Sequence, residues 1–84
     1  MWFLYVAECC DGSLYTGITT DIKRRIHEHN HTRRGAKYTR SRRPVQLLGY
    51  IDCKSRSDAL KKEFSFKRLS KKQKLKKVQM FKKL

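Results

Sequence analysis

Two runs of aromatic and β-branched residues, one on each side of Asp11-Gly12, commit the start of the chain to a β-hairpin. Residues 2 to 9 read as the first strand, and Ser13 to Ile18 as the returning one. Two registers are open. A two-residue Asp11-Gly12 turn would put Tyr5 and Tyr15 on opposite faces of the ribbon. A three-residue loop, Cys10-Asp11-Gly12 with Gly12 left-handed, instead pairs Ala7 with Tyr15 and Tyr5 with Gly17. The second register gathers Tyr5, Ala7, Tyr15 and Gly17 on one face and Leu4, Val6, Leu14 and Thr16 on the other. It separates the hydroxyl-bearing aromatics from the aliphatic residues and is the preferred one.

With 84 residues, the chain has room for one domain around a modest core, and an apolar content of 38% is enough to build it. After the hairpin, Thr20-Asp21 opens a helix running to about Asn30. Thr19 or Thr20 is placed to cap it, and Asp21 suits the positive end of its dipole. A basic loop follows over residues 31 to 43, punctuated by Gly35 and Pro44, and Val45 to Ile51 read as a third strand. Ser55 to Leu69 form a second helix, capped by Ser55 or Ser57. Ser70 with Gln73 three places on is a capping-box signature, so a further helix restarts there. Its apolar stripe, Leu75, Val78 and Phe81, is thin. The element order is strand, strand, helix, strand, helix, helix. Residues 1–69 would form the domain, and residues 70–84 a basic C-terminal helix or tail.

Charge narrows the function. Lys and Arg number 22 against 7 acids, a net +15 with a pI near 10.3. Such an excess repels itself in a compact fold and calls for a polyanionic partner, nucleic acid before an anionic membrane surface. The last helix carries too few bulky apolar residues to anchor in lipid. The opening run Trp2 to Ala7 is too short to span a membrane and lacks the basic lead-in of a signal peptide. Cys9, Cys10 and Cys53 form no C-x-x-C pair and leave an odd count, as expected of reduced thiols in a cytoplasmic protein.

Three features depart from the pattern of an ordinary small domain. Ile22, Arg25, Ile26 and His29 share one helical face. The isoleucines must dock on the sheet, which carries Arg25 and His29 inward or to its rim, where a guanidinium needs an anion. The plainer alternative is an Arg25 that reaches out to solvent and a His29 satisfied within the core. Glu63 is the one acid between residues 59 and 84, among eleven Lys or Arg. Lying in phase between Leu60 and Phe64, it borders the expected buried stripe, where a carboxylate can hold a hard cation or simply serve as a counter-ion. His27 and His31, four apart, have helical chelate spacing, but no third ligand follows them and a solvated pair is the simpler reading. Arg33, Arg34, Lys37, Arg40, Arg42 and Arg43 make the middle loop a candidate phosphate clamp.

Taken in order, these residues resemble the GIY-YIG nuclease superfamily over roughly residues 2 to 69. Phe3-Leu4-Tyr5 keeps the tyrosine of the first half-motif without its glycine, and Tyr15-Thr16-Gly17 matches the second. Arg25, His29 and Glu63 follow at family-like places. Gly35-Ala36-Lys37-Tyr38-Thr39, Arg43-Pro44 and Ala59-Leu60 to Glu63-Phe64 are similar to the small stand-alone bacterial branch and to the catalytic domain of Slx-type structure-specific nucleases.

The resemblance implies an α+β fold with a small three-stranded antiparallel sheet flanked by helices. It also implies a metal-dependent endonuclease cutting phosphodiester bonds in DNA, including branched or repair intermediates, with one divalent cation, Mg²⁺ or Mn²⁺. Tyr5 would be the general base, with Tyr15 across the same pocket and able to exchange roles with it. Arg25 would bind the scissile phosphate, Glu63 would hold the metal, and His29 would position a tyrosine hydroxyl or touch phosphate. Gly17 would leave room for the substrate backbone, and Tyr38 would join the loop arginines, Lys37 included, in binding nucleic acid. DNA is expected ahead of RNA, with no membrane and no obligate protein partner called for. The competing expectation is a basic DNA- or RNA-binding module that keeps the fold without catalysis.

Overall fold

The computed structural model describes all 84 residues, as three strands and four helices. Strands β1 (Trp2–Glu8) and β2 (Leu14–Thr19) form the N-terminal hairpin. Helix α1 (Ile22–His31) and the four-residue α2 (Lys37–Arg40) precede β3 (Gln46–Cys53), and α3 (Arg56–Lys67) and α4 (Lys71–Val78) close the chain. The sheet is antiparallel throughout, in the order β2-β1-β3, so β1 is the central strand. The expected α+β architecture and element order are therefore the observed ones, with α2 an extra turn of helix inside the basic loop.

The hairpin adopts the preferred register, pairing Tyr5 with Gly17 and Ala7 with Tyr15. Gly12 has φ +85°, a conformation that glycine enters without steric penalty. Cys9 N–H donates to the Ser13 carbonyl at 2.8 Å and closes the loop. Period-two alternation then sorts the strands into two faces. Leu4 and Val6 meet Cys53, Ala59, Phe66, Val78 and Phe81 in the main core. The other face is covered by α1, where Ile26 packs against a smaller cluster of Ala7, Cys9 and Val45. Fully burying an aliphatic or aromatic side chain of this size contributes about 1.5–3 kcal/mol.

Local signals set the helix ends, with one correction. Asp21, rather than Thr19 or Thr20, caps α1, its carboxylate accepting from the Arg24 N–H at 3.0 Å. Thr19 supports it one step back, its hydroxyl accepting the Asp21 N–H at 3.1 Å. Ser55 caps α3, and Ser70 with Gln73 forms a complete capping box on α4. The buried face of α3 also differs from expectation. Ala59 and Phe66 are buried, whereas Leu60 and Phe64 are exposed. A seven-residue step is two helical turns, so Ala59 and Phe66 share the face that meets Leu4 and Val6. Glu63 still borders that face, four residues after Ala59 and three before Phe66.

The final residues pack on the body of the fold. Val78 and Phe81 enter the core, while Leu75 stays exposed. Lys82 exchanges backbone hydrogen bonds with Tyr50 at 2.9 Å in each direction. A Cβ on Gly49 would lie 2.7 Å from that of Phe81, so the bare glycine backbone is what lets the segment cross β3 so closely.

Candidate functional site

On the α1 face of the sheet the hairpin register sets Tyr5 and Tyr15 side by side, their ring centroids 6.2 Å apart. Helix α1 lowers His29 onto them, its ring 5.0 Å from Tyr15 and 5.8 Å from Tyr5. His29 is completely buried and Tyr5 is 1% exposed. The Tyr5 hydroxyl lies 2.6 Å from His29 Nε2, and on the far side of the ring Nδ1 lies 2.8 Å from Thr39 Oγ1. Tyr15 is half-buried and forms the outer part of the cluster.

Arg25, one turn before His29, closes the open side. Its guanidinium donates to Glu28 at 3.0 Å and to the Arg34 carbonyl at 2.7 Å. The anion that the sequence asked for is thus, in part, Glu28. Burial opposes the Arg25 charge, but Glu28 and the Tyr5 and Tyr15 hydroxyls more than offset it and hold the guanidinium above its ordinary pKa.

Electrostatics keep the inner pair neutral. Burial first, and the neighbouring Tyr15 second, push the Tyr5 phenol upward against the pull of Arg25. The His29 imidazole is pushed down to about 4, by burial and then by the positive charge of Arg25. Near neutral pH the buried contact therefore joins an uncharged phenol to an uncharged imidazole.

Glu63 reaches the cluster differently. It sits on α3, which packs on the opposite sheet face, chiefly against β2, an edge strand. Its side chain is 20% exposed and faces Lys67 at 3.6 Å, and no hydrogen bond ties it to the tyrosines. It is nonetheless near enough for its charge to add to the upward push on Tyr5. As a cation ligand its chemistry is suitable. Mg²⁺ takes oxygen donors, keeps several waters, and needs only one or two carboxylates alongside substrate phosphates. His27 and His31 stack 4.7 Å apart on the exposed side of α1, with no third His, Cys, Asp or Glu joining them.

Gly17 serves a purpose other than the one expected. A Cβ there would lie 2.6 Å from the Tyr5 hydroxyl, so the space above Gly17 is filled by Tyr5 and not open to a substrate backbone. The basic loop also divides into two groups. Arg33, Arg34, Lys37 and Arg40 project into solvent. Arg43, by contrast, turns its guanidinium onto the backbone carbonyls of Glu28, His29 and Thr32, the last turn of α1. Glu28 O also accepts the Thr32 N–H at 3.2 Å, so the guanidinium chiefly serves the carbonyls of His29 and Thr32, and a cation at that end also offsets the dipole. Arg42 pairs with Asp11 at 3.1 Å and lies 4.0 Å over the ring of Tyr38, which in turn stacks against Tyr15 at 6.2 Å.

Thr39 was missed in the sequence. It is fully buried, and its hydroxyl donates to the Ala36 carbonyl at 2.9 Å while facing His29. A threonine within a basic polar loop gives no signal of burial. Only the α2 turn, which carries it beneath α1, reveals its place.

A UPF0213 protein of Desulfotalea psychrophila is 58% identical over 82% of this chain and 63% of its own length, so the chain spans less than two thirds of that relative. A UPF0213 protein of Cupriavidus pinatubonensis is 53% identical over 88% of this chain and 81% of its own. The solution NMR structure of a UPF0213 protein from Bacillus halodurans aligns with a TM-score of 0.59 at 42% identity, covering 95% of this chain and 85% of that one. The model of the GIY-YIG catalytic domain matches residues 1–77, spanning both tyrosine half-motifs, Arg25, His29 and Glu63. The chain therefore belongs to the GIY-YIG family, a nuclease superfamily.

Proposed function

We propose that this protein is a metal-dependent endonuclease that hydrolyses phosphodiester bonds in DNA, with branched or repair intermediates as its substrates. The observation that carries the reading is the convergence on one sheet face of Tyr5, Tyr15 and His29, with Arg25 beside them. Although Glu28 and the Arg34 carbonyl hold Arg25 in part, its charge beside two phenols suits a site that receives an anion.

In this reading the two phenols exchange the expected roles: the half-buried Tyr15 meets the attacking water, and Tyr5, expected as the base but buried, backs it through its bond to His29. A tyrosine base must first give up its own proton, and the Arg25 guanidinium beside the cluster favours the phenolate that remains. Water's oxygen bonds to phosphorus, its proton passes to the Tyr15 phenolate oxygen, and the bond from phosphorus to the departing sugar oxygen breaks. That oxygen then takes a proton from solvent water to leave a hydroxyl end. Arg25 binds the scissile phosphate and offsets the charge gathering on it. Glu63 is the proposed ligand for Mg²⁺ or Mn²⁺, and a cation held there would supply Lewis-acid stabilisation of the same charge. Arg33, Arg34, Lys37 and Arg40 grip the phosphate backbone, with Tyr38 and Arg42 at the edge of the cleft. Arg43 acts indirectly, by holding the end of α1 that carries His29. No helix is long and apolar enough to cross a membrane, and we propose a cytoplasmic site of action.

The test is a cleavage panel of nicked, flap, junction, single-stranded and duplex DNA, with RNA counterparts, in Mg²⁺ or Mn²⁺. Metal-dependent products from branched DNA are expected. Arg25→Ala and Glu63→Gln should each retain the fold and lower kcat by about 10²–10³, the scale of a lost transition-state charge contact. Salt-sensitive binding with no product under any condition would leave a non-catalytic nucleic-acid-binding module instead.

A further inference from the structure

The hydrogen bonds around His29 run in one direction, and Thr39 fixes that direction. Three groups in a row, the Tyr5 phenol, the His29 imidazole and the Thr39 hydroxyl, each carry a proton that must find an acceptor. All three are buried, where an unmet donor costs about 1–3 kcal/mol. Arg25 approaches Tyr5 and can only donate to it, so it offers no outlet for the phenolic proton. His29 Nε2, 2.6 Å away, is the one acceptor hydrogen-bonded to Tyr5. Nε2 must therefore be bare, which puts the imidazole proton on Nδ1. From the other side, the Thr39 proton is committed to the Ala36 carbonyl at 2.9 Å, so its Oγ1 faces Nδ1 at 2.8 Å only as an acceptor and by itself calls for Nδ1–H.

The opposite tautomer fails on the same count. With the proton on Nε2, the imidazole would donate to Tyr5 and the phenolic proton would have no protein acceptor. Every donor is met in one arrangement only.

We infer that Thr39 is a positioning residue, whose hydroxyl locks His29 in the Nδ1–H tautomer and so makes Nε2 the proton acceptor for Tyr5. Tyr5 is then obliged to point its O–H inward. Its oxygen turns lone pairs toward Arg25 and the cleft, as an acceptor. The catalytic meaning of this arrangement rests on the nuclease reading above, but the tautomer itself can be read without any cleavage.

The experiment is long-range ¹H–¹⁵N correlation of the histidine side chains in the labelled full-length protein near neutral pH. Wild type should show His29 with a protonated Nδ1 and an unprotonated Nε2. Thr39→Val, close to isosteric but without an acceptor, should shift the ring to the Nε2–H form or to a mixture. Thr39→Ser, which keeps the hydroxyl, should restore the wild-type pattern. On a cleavable substrate Thr39→Val should lose about 10- to 100-fold in kcat, the usual scale for an orienting partner of a functional histidine, with Thr39→Ser near wild type. A protonated Nε2 in the wild-type protein would overturn the proposal, and so would an unchanged Nδ1–H tautomer in folded Thr39→Val. The wild-type spectrum decides the matter even if the valine variant does not fold. Absence of DNA cleavage, with the expected tautomer present, would count against the nuclease assignment alone.

Discussion

Gly17→Ala is the most direct probe of how tightly the two half-motifs are fitted. The added methyl would sit 2.6 Å from the Tyr5 hydroxyl oxygen, 2.8 Å from Cζ and 2.9 Å from Cε1. Carbon contacts are most favourable at about 3.5–4.0 Å, so the ring must retreat. It has little freedom to do so, being 1% exposed and bound to His29 at 2.6 Å. Forcing a methyl into a packed site costs about 1–3 kcal/mol. Breaking the buried hydrogen bond adds about 1 kcal/mol. Alanine also restricts the unfolded chain, an offset of about 0.4–1 kcal/mol. A net loss of about 2–3 kcal/mol follows, against a total stability of roughly 4–13 kcal/mol for a chain of this length. Thermal unfolding followed by circular dichroism should then show Tm falling by roughly 10–20 °C. Because the hydroxyl oxygen is the nearest atom, the penalty should shrink by about 1 kcal/mol in a Tyr5→Phe background, a coupling that a double-mutant cycle can resolve. A Gly17→Ala protein as stable as wild type would refute the close seating of Tyr5 over Gly17.

Three further outcomes are expected. The His29 value of about 4 lies below its ordinary 6.5, so the folded protein binds fewer protons than the unfolded chain between those limits. Stability should therefore fall as pH drops from about 6.5 to 4, by up to about 3 kcal/mol, and urea titrations of His29→Gln should lose that slope. Phe81→Ala should cost about 3 kcal/mol in denaturant unfolding, because the ring is 8% exposed within the main core; a loss under about 1 kcal/mol would make the C-terminal segment a loose appendage. DNA affinity should fall steeply with salt. Replacing Arg33, Arg34, Lys37 and Arg40 together by alanine should flatten the slope of log K against log salt by up to about 4, if each contacts a phosphate.

Some of this architecture was legible in the residues and some was not. The face of α1 could be read because Ile22, Arg25, Ile26 and His29 repeat at helical spacing and both isoleucines need cover. The turn alone left two hairpin registers open, and sorting the tyrosines from the aliphatic residues picked the one that is observed. Helix α3 was read less well. Bulk suggested Leu60 and Phe64, but the sheet accepts the small Ala59 and the distant Phe66, a pairing that single-residue hydrophobicity does not rank highly. The basic loop concealed the most. Its arginines look alike in sequence, yet Arg43 caps α1 while Arg33 and Arg34 face solvent, and that choice is made by tertiary contact. The burial of Tyr5 belongs to the same class, because alternation assigns a face but not a depth.

The exchange of backbone hydrogen bonds between Lys82 and Tyr50 has a consequence beyond holding the terminus. An outer strand with unmet amides invites strands from other molecules, the usual first step toward aggregates. Here the chain occupies part of its own open margin along β3, and lysines at 82 and 83 add a repulsive fringe around the closure. The stretch that follows α4 thus behaves as a built-in guard on this margin of the sheet.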